Sequence, residues 1–180
     1  MKLNTETGLL ESVLQHRSPN QDERPQGEVI SLLVIHGISL PPGQYGGGWI
    51  DDLFMNQLDS SAHPYFSQLE GLKVSTHVLI RRDGEVIQYV PFVARAWHAG
   101  VSAFQGRQHC NDYSIGIELE GQDDEPYTDI QYQQLIELKD FLMGHYPAIH
   151  SERVVGHSDI APGRKSDPGS AFEWARLELF

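Results

Sequence analysis

Two histidines, His36 and His157, each close a short apolar segment, and a carboxylate, Asp167, follows the second after a Gly/Pro-containing stretch. Neutral imidazole and carboxylate are suitable donors for zinc, and three such side chains leave a fourth position open in a catalytic site. The separation of His36 from His157 matches no local metal motif, and a histidine such as His36 read alone is more often structural. Beside these residues stand two acids and a base that hydrolytic chemistry uses. Glu118 and Glu120 share one face of an alternating segment, and either could take a proton from an attacking water and return it to a leaving amine. Lys165 lies two residues before Asp167, close enough in the chain to bring a positive charge to a developing oxyanion.

Such residues act only if rigid elements hold them together. Residues 29–35 are almost wholly apolar and rich in β-branched side chains, which predicts a strand covered on both faces and ending at His36. Residues 37–48 carry Pro41, Pro42 and several glycines and read as a loop beside that strand end. Ile50, Leu53, Phe54 and Leu58 recur at helical spacing, predicting a short amphipathic helix over 49–58. Residues 74–80 and 85–90 flank Arg81-Arg82-Asp83-Gly84, the signature of a β-hairpin, with His77 as a hydrogen-bonded structural residue. Over 113–120, Ile115, Ile117 and Leu119 alternate with Ser114, Gly116, Glu118 and Glu120, so the two acids face away from the apolar side. Thr128 and Gln131 have capping-box spacing ahead of a stripe of Ile130, Leu135, Leu138 and Leu142, predicting a helix to His145. A second capping-box spacing, Ser170 to Glu173, suggests a short C-terminal helix. Interleaved strands and helices around a hairpin predict an α/β fold, a single domain with a mixed β-sheet flanked by helices. Residues 1–28, polar and interrupted by Pro19 and Pro25, are expected as an irregular arm packed on a domain spanning 29–180.

With 180 residues and 39% hydrophobic side chains, the chain is long enough for one real core. A formal net charge of −12 opposes binding to nucleic acid, and no basic face is available to hold an anionic membrane. The single cysteine, Cys110, excludes an intrachain disulfide and reads as a small buried thiol. The N-terminus lacks a basic segment followed by an apolar one, and no apolar run reaches membrane-spanning length, so a cytoplasmic location is expected. Oligomeric state is not legible.

Several of these stretches together resemble a known family. Val34-Ile35-His36, Ser39-Leu40-Pro41-Pro42-Gly43, Ala96-Trp97-His98-Ala99-Gly100, the run from Asn111-Asp112-Tyr113-Ser114 to Glu120-Gly121, and Gly156-His157 through Lys165-Ser166-Asp167-Pro168-Gly169 are similar to the AmpD-type anhydro-N-acetylmuramoyl-L-alanine amidases. The resemblance extends over roughly residues 29–178. It implies one zinc per chain on His36, His157 and Asp167, with Glu118 rather than Glu120 as acid/base and Lys165 as stabiliser of the tetrahedral intermediate. The implied reaction is hydrolysis of the amide between anhydro-muramic acid and L-alanine in cell-wall turnover products. The implied fold is the one shared with bacteriophage amidases and peptidoglycan recognition proteins. Asp167 stands where many of the wider relatives carry cysteine, and Gly37 stands where asparagine is expected in enteric members. Trp97 and His98 are candidates for sugar or peptide contacts, and Arg107 and Arg164 for a peptide carboxylate. Two other readings compete: a module that binds peptidoglycan fragments without cutting them, which has no need of Glu118 and Lys165 together, and a secreted amidase acting on intact murein.

Overall fold

The computed structural model describes residues 1–177. Its main sheet has six strands, in the spatial order Val154–Gly156, Leu32–Ile38, Ser114–Glu120, Val78–Ile80, Val86–Gln88 and Leu14–Gln15. The strand predicted from the apolar run sits second from one edge, paired in parallel with Val154–Gly156 on one side and Ser114–Glu120 on the other. Leu32, Leu33, Val34 and Ile35 are fully buried, which is why both faces of this segment are apolar. Val78–Ile80 and Val86–Gln88 form the expected antiparallel hairpin, with Gly84 at φ +88° in its turn. The sheet is therefore mixed, as the sequence predicts.

Among the described residues three α-helices cover it: α1 (Trp49–Phe54), α2 (Asp129–His145) and α3 (His157–Ile160). Side-chain alternation sorts the two faces. Leu33, Ile35, Ile115, Ile117 and Leu119 pack against Leu135, Leu138 and Leu142 of α2, and each buried leucine contributes roughly 1.5–3 kcal/mol. On the opposite face, Leu32 and Val34 meet Cys110, Tyr113 and Ile160 of α3. Further along the same face Leu79 and Ile87 meet Ile50, Leu53 and Phe54 of α1. The capping box at Thr128 and Gln131 is formed, and Gln131 also donates to the carbonyls of Ile80 and Glu120, tying the helix start to two strand ends.

Several expectations need correcting. The first strand begins at Leu32, because Val29 is exposed, and it continues past His36 to Ile38, so His36 projects from within a strand and not from its end. Residues 1–28 carry short strands between their turns and loops. Leu14–Gln15 pairs with Val86–Gln88 at the sheet edge, Leu3–Asn4 pairs with Leu9–Leu10, and Gln21–Glu23 pairs with Ala94–Ala96. Backbone pairing needs no apolar periodicity, so these strands left no signal. The helix at 49 stops at Phe54, since Asn56 takes a left-handed conformation at φ +58°. Ile130 lies at the rim of α2 against Gly84, while Tyr132 takes the buried position. The C-terminal segment gives only a single 3-10 turn, Trp174–Leu177, because the Glu173 N–H donates to the Tyr132 hydroxyl at 2.7 Å instead of closing a cap. The part of the expected domain at 178–180 lies outside the described residues.

Candidate active site

The face of the sheet opposite α2 carries the chemistry. Parallel pairing sets Glu118 directly beside His36. Gly156 ends its strand at the N-terminus of α3, which turns His157 onto the same face. The loop that follows folds back on itself: the Ser158 N–H donates to the Asp167 carbonyl at 3.0 Å, and this closure brings the Asp167 side chain beside His157. The result is a triangle of three donor atoms. His36 Nδ1 lies 2.9 Å from His157 Nδ1, and Asp167 Oδ2 lies 3.1 Å and 3.0 Å from them respectively. These residues form a group that could hold a metal ion. Three donors ~2.0–2.2 Å from a tetrahedral ion stand about 3.3–3.6 Å apart, so a small expansion of the triangle accommodates zinc.

The charges fit that use. Burial pushes His36 down to about 4, against the hydrogen bond to Asp167 that raises it, so the ring is neutral near pH 7 and keeps a lone pair. Burial pushes the Asp167 carboxyl up, but the bonds to His157 and His36 outweigh it and hold the group well below the usual carboxylate range. Glu118 behaves oppositely. Burial first, and then the Asp167 charge, raise it well above its ordinary value, with Lys165 offsetting part of the effect. Its Oε1 lies 4.0 Å from His36 Nδ1, and its buried Oε2 has no hydrogen-bond partner. A buried carboxylate oxygen left unpaired is costly unless a further group completes it. This one belongs to a carboxylate that stands beside the donor triangle.

Glu120, the competing acid, is already committed. Its Oε1 accepts from the Gly46 N–H at 2.7 Å, its Oε2 accepts from the Arg82 N–H at 3.1 Å, and Arg81 Nη1 stands 3.5 Å away. It fastens the glycine loop to the hairpin, with each oxygen already accepting from a backbone N–H. Lys165 is exposed at the cleft wall and makes no ion pair with any described residue. The cleft has a volume of about 530 Å³. Leu40, Tyr65, Leu69 and Val74 give it an apolar wall, while Glu118, His157 and Asp167 form its polar floor.

The four residues expected to bind substrate are not brought together. His98 lines the cleft, but both of its ring nitrogens are engaged, with His36 Nε2 at 2.8 Å and Ser114 Oγ at 3.0 Å. Trp97 is half-buried with its backbone N–H donating to Ser75 Oγ at 3.0 Å, and its buried Nε1 has no partner. Arg107 pairs with Glu28 and lies over the Tyr113 ring, 4.0 Å from its centroid. Arg164 donates to the carbonyls of Ala99 and Val101, both at 2.7 Å. Neither guanidinium lines the cleft; each is held by carbonyl or carboxylate groups of another segment of the chain. Gly37 has a structural reason to lack a side chain, because a Cβ there would run into the Tyr127 hydroxyl, which donates to the Pro168 carbonyl at 2.9 Å. Cys110 is buried with its Sγ 3.2 Å from the Tyr113 hydroxyl and takes no part in the site. The sequence reading gave no role to Asn111, Ser114 or Gly116, whose only signal was their place in the quoted motifs.

A mixed sheet presenting two histidines, an aspartate, a buried unpaired glutamate and a free lysine to one cleft has the organisation of a hydrolase active site. The chain belongs to the N-acetylmuramoyl-L-alanine amidase family, which it matches over residues 26–170. It is 57% identical over 172 residues to the 1,6-anhydro-N-acetylmuramyl-L-alanine amidase AmpD of Enterobacter cloacae, a match covering 96% of this chain and 91% of that one. Among solved structures it resembles a selenomethionine derivative of AmpD, with a TM-score of 0.95, 56% identity, and 99% and 98% of the two chains covered. It also resembles the amidase AmiD from E. coli in complex with anhydro-N-acetylmuramic acid-L-Ala-D-gamma-Glu-L-Lys. There the TM-score is 0.60 and the identity 34%, over 87% of this chain and 60% of that one.

Proposed function

We propose that this chain hydrolyses the amide between anhydro-N-acetylmuramic acid and the L-alanine of its stem peptide, in small turnover products of the cell wall. The observation that carries the reading is the unpaired Glu118 Oε2, buried beside a triangle of three metal-competent donors. Likeness to AmpD and to an amidase holding an anhydro-muramoyl peptide supports the substrate class. His36, His157 and Asp167 are the residues that would hold zinc, one ion per chain. A zinc ion there supplies a positive charge that polarises a carbonyl and acidifies water.

The remaining work falls to the chain itself. Glu118 accepts a proton from the attacking water as its oxygen joins the amide carbon. The raised affinity of its carboxylate for a proton suits it to hold that proton until the C–N bond breaks. It then passes the proton to the leaving alanine nitrogen, and sugar acid and free amine separate. Lys165 stands at the cleft wall to balance the charge that builds on the carbonyl oxygen. Leu40, Tyr65 and Leu69 cover the apolar face of the sugar. Among the described residues no helix is long and apolar enough to cross a membrane, and a cytoplasmic location fits a substrate of this size.

The test is to incubate zinc-loaded protein with an anhydro-muramoyl tripeptide and follow products by mass spectrometry. The expected products are the free tripeptide and the anhydro-muramic sugar. Recovery of intact substrate would establish a binding module instead, and a cut between peptide residues would establish a peptidase. Cleavage of intact murein at a comparable rate would favour the wall-degrading reading.

A further inference from the structure

Two of the motif segments, 96–100 and 111–114, hold no metal donor, base or oxyanion stabiliser, yet they meet directly behind the two histidines of the triangle. His157 Nε2 lies 3.2 Å from the Ala99 carbonyl. A carbonyl oxygen only accepts, so this nitrogen carries the ring proton and Nδ1 keeps its lone pair facing the triangle. His36 Nε2 lies 2.8 Å from His98 Nδ1, and His98 Nε2 lies 3.0 Å from Ser114 Oγ. With His36 donating to His98 and His98 donating to the serine hydroxyl, the His36 Nδ1 lone pair also points into the triangle. Adjacent residues thus orient both rings, one through its side chain and one through its backbone.

That dipeptide is itself pinned at one point. Asn111 Oδ1 accepts from the His98 N–H at 3.1 Å and from the Ala99 N–H at 2.8 Å. The Asn111 carbonyl in turn accepts from Arg24 Nη1 at 3.1 Å. Gly116 leaves the space for the His98 ring, since a Cβ there would stand 2.5 Å from His98 Cγ. His98, Asn111 and Ser114 are all buried.

We propose that His98 and Asn111 are positioning residues of the metal centre: Asn111 fixes residues 98–99, and these fix the tautomer and orientation of His36 and His157. This replaces the expectation that His98 contacts substrate, and it gives the Ala-Trp-His-Ala-Gly and Asn-Asp-Tyr-Ser motifs a shared physical purpose. Partners of this kind fix the ring of a ligating histidine and raise its basicity. The proposal rests on the zinc reading above, so its test must separate the two.

The experiment measures zinc affinity by competition with a chromophoric chelator. It covers the wild type, His98→Phe, His98→Gln, Asn111→Leu and Asn111→Asp, with near-UV circular dichroism to verify folding. His98→Phe and Asn111→Leu should weaken zinc binding by roughly 10- to 100-fold, the usual effect of losing such a partner. His98→Gln keeps an acceptor for His36 and a donor for Ser114, and Asn111→Asp keeps the acceptor for both backbone N–H groups. Both should stay within about threefold of wild type. The NMR signal of the His36 Nε2 proton in the zinc-loaded protein gives a second readout. It should exchange slowly in the wild type and faster in Ser114→Ala, a small change that decides the matter if the larger ones fail to fold. Wild-type and His98→Phe proteins binding zinc equally well, or unchanged exchange in Ser114→Ala, would overturn this proposal alone. A wild type that binds no zinc would overturn the metal reading beneath it.

Discussion

Replacing Glu118 with glutamine removes one ionisable group and almost no volume, which makes it the sharpest perturbation of this site. The carboxylate lies 4.0 Å from His36 Nδ1 with Oε2 unpaired, so glutamine fits the same space and leaves the donor triangle in place. Acid/base catalysis is typically worth ~10²–10⁴-fold, or about 3–5 kcal/mol of barrier, and kcat should fall by that factor. KM should change little, because the proton is transferred only as the reaction proceeds. Stability should move the other way. The Glu118 carboxyl is raised in the folded state, chiefly by burial, so the folded protein binds its proton more tightly than the unfolded chain does. Below the ordinary glutamate pKa of about 4.3 the group is protonated in both states and the metal-free variant should match the wild type. As pH rises above that value the wild type loses stability that the glutamine variant keeps, and the gap between them should widen. Each kcal/mol of that gap appears as roughly 2–4 °C in Tm for a chain of this size. The assays are steady-state kinetics on the anhydro-muramoyl tripeptide and thermal melts of metal-free protein from pH 4 to pH 8. A variant within about threefold of wild type in kcat, far under the acid/base range, would refute the assignment of Glu118 as base.

Further outcomes follow from the same geometry. His36→Ala, His157→Ala and Asp167→Ala should each lose stoichiometric zinc on metal analysis, because two remaining donors do not hold a tetrahedral ion firmly. Lys165→Ala should retain zinc and lose roughly 10²–10³-fold in kcat, as removal of one oxyanion stabiliser does elsewhere. Glu120→Gln should raise KM more than it lowers kcat, since the side chain anchors the Gly46 and Arg82 backbones and not the reacting atoms. A kcat loss as large as that of Glu118→Gln would contradict this. Cys110→Ser should leave kcat unchanged in the same assay, as its thiol contacts the Tyr113 hydroxyl away from the cleft.

What the sequence determined by itself follows from short-range physics. The apolar run at 32–35, the alternation of Ile115, Ile117 and Leu119, the Asp83-Gly84 turn and the Thr128 capping box each express a local preference, and each element formed. Residue chemistry also singled out His36, His157, Asp167, Glu118 and Lys165 as able to hydrolyse an amide, although only the family resemblance ranked Glu118 above Glu120. The tertiary structure decided the rest, because it depended on contacts between residues far apart in the chain. Strand alternation gives Glu118 and Glu120 the same face; only the parallel register, which sets Glu118 beside His36, and the Gly46 and Arg82 N–H groups that bond the two oxygens of Glu120 tell them apart. Arg107 and Arg164 had the right chemistry for a carboxylate, yet Glu28 and the carbonyls of Ala99 and Val101, distant in the chain, claimed them. The same holds for the N-terminal strands, and for Asn111, whose one amide oxygen reaches residues 98 and 99 by a route that no periodicity encodes. Hydrophobic pattern sets which face a side chain takes; which neighbour it meets there is settled by register and loop closure, and those exist only in the folded chain.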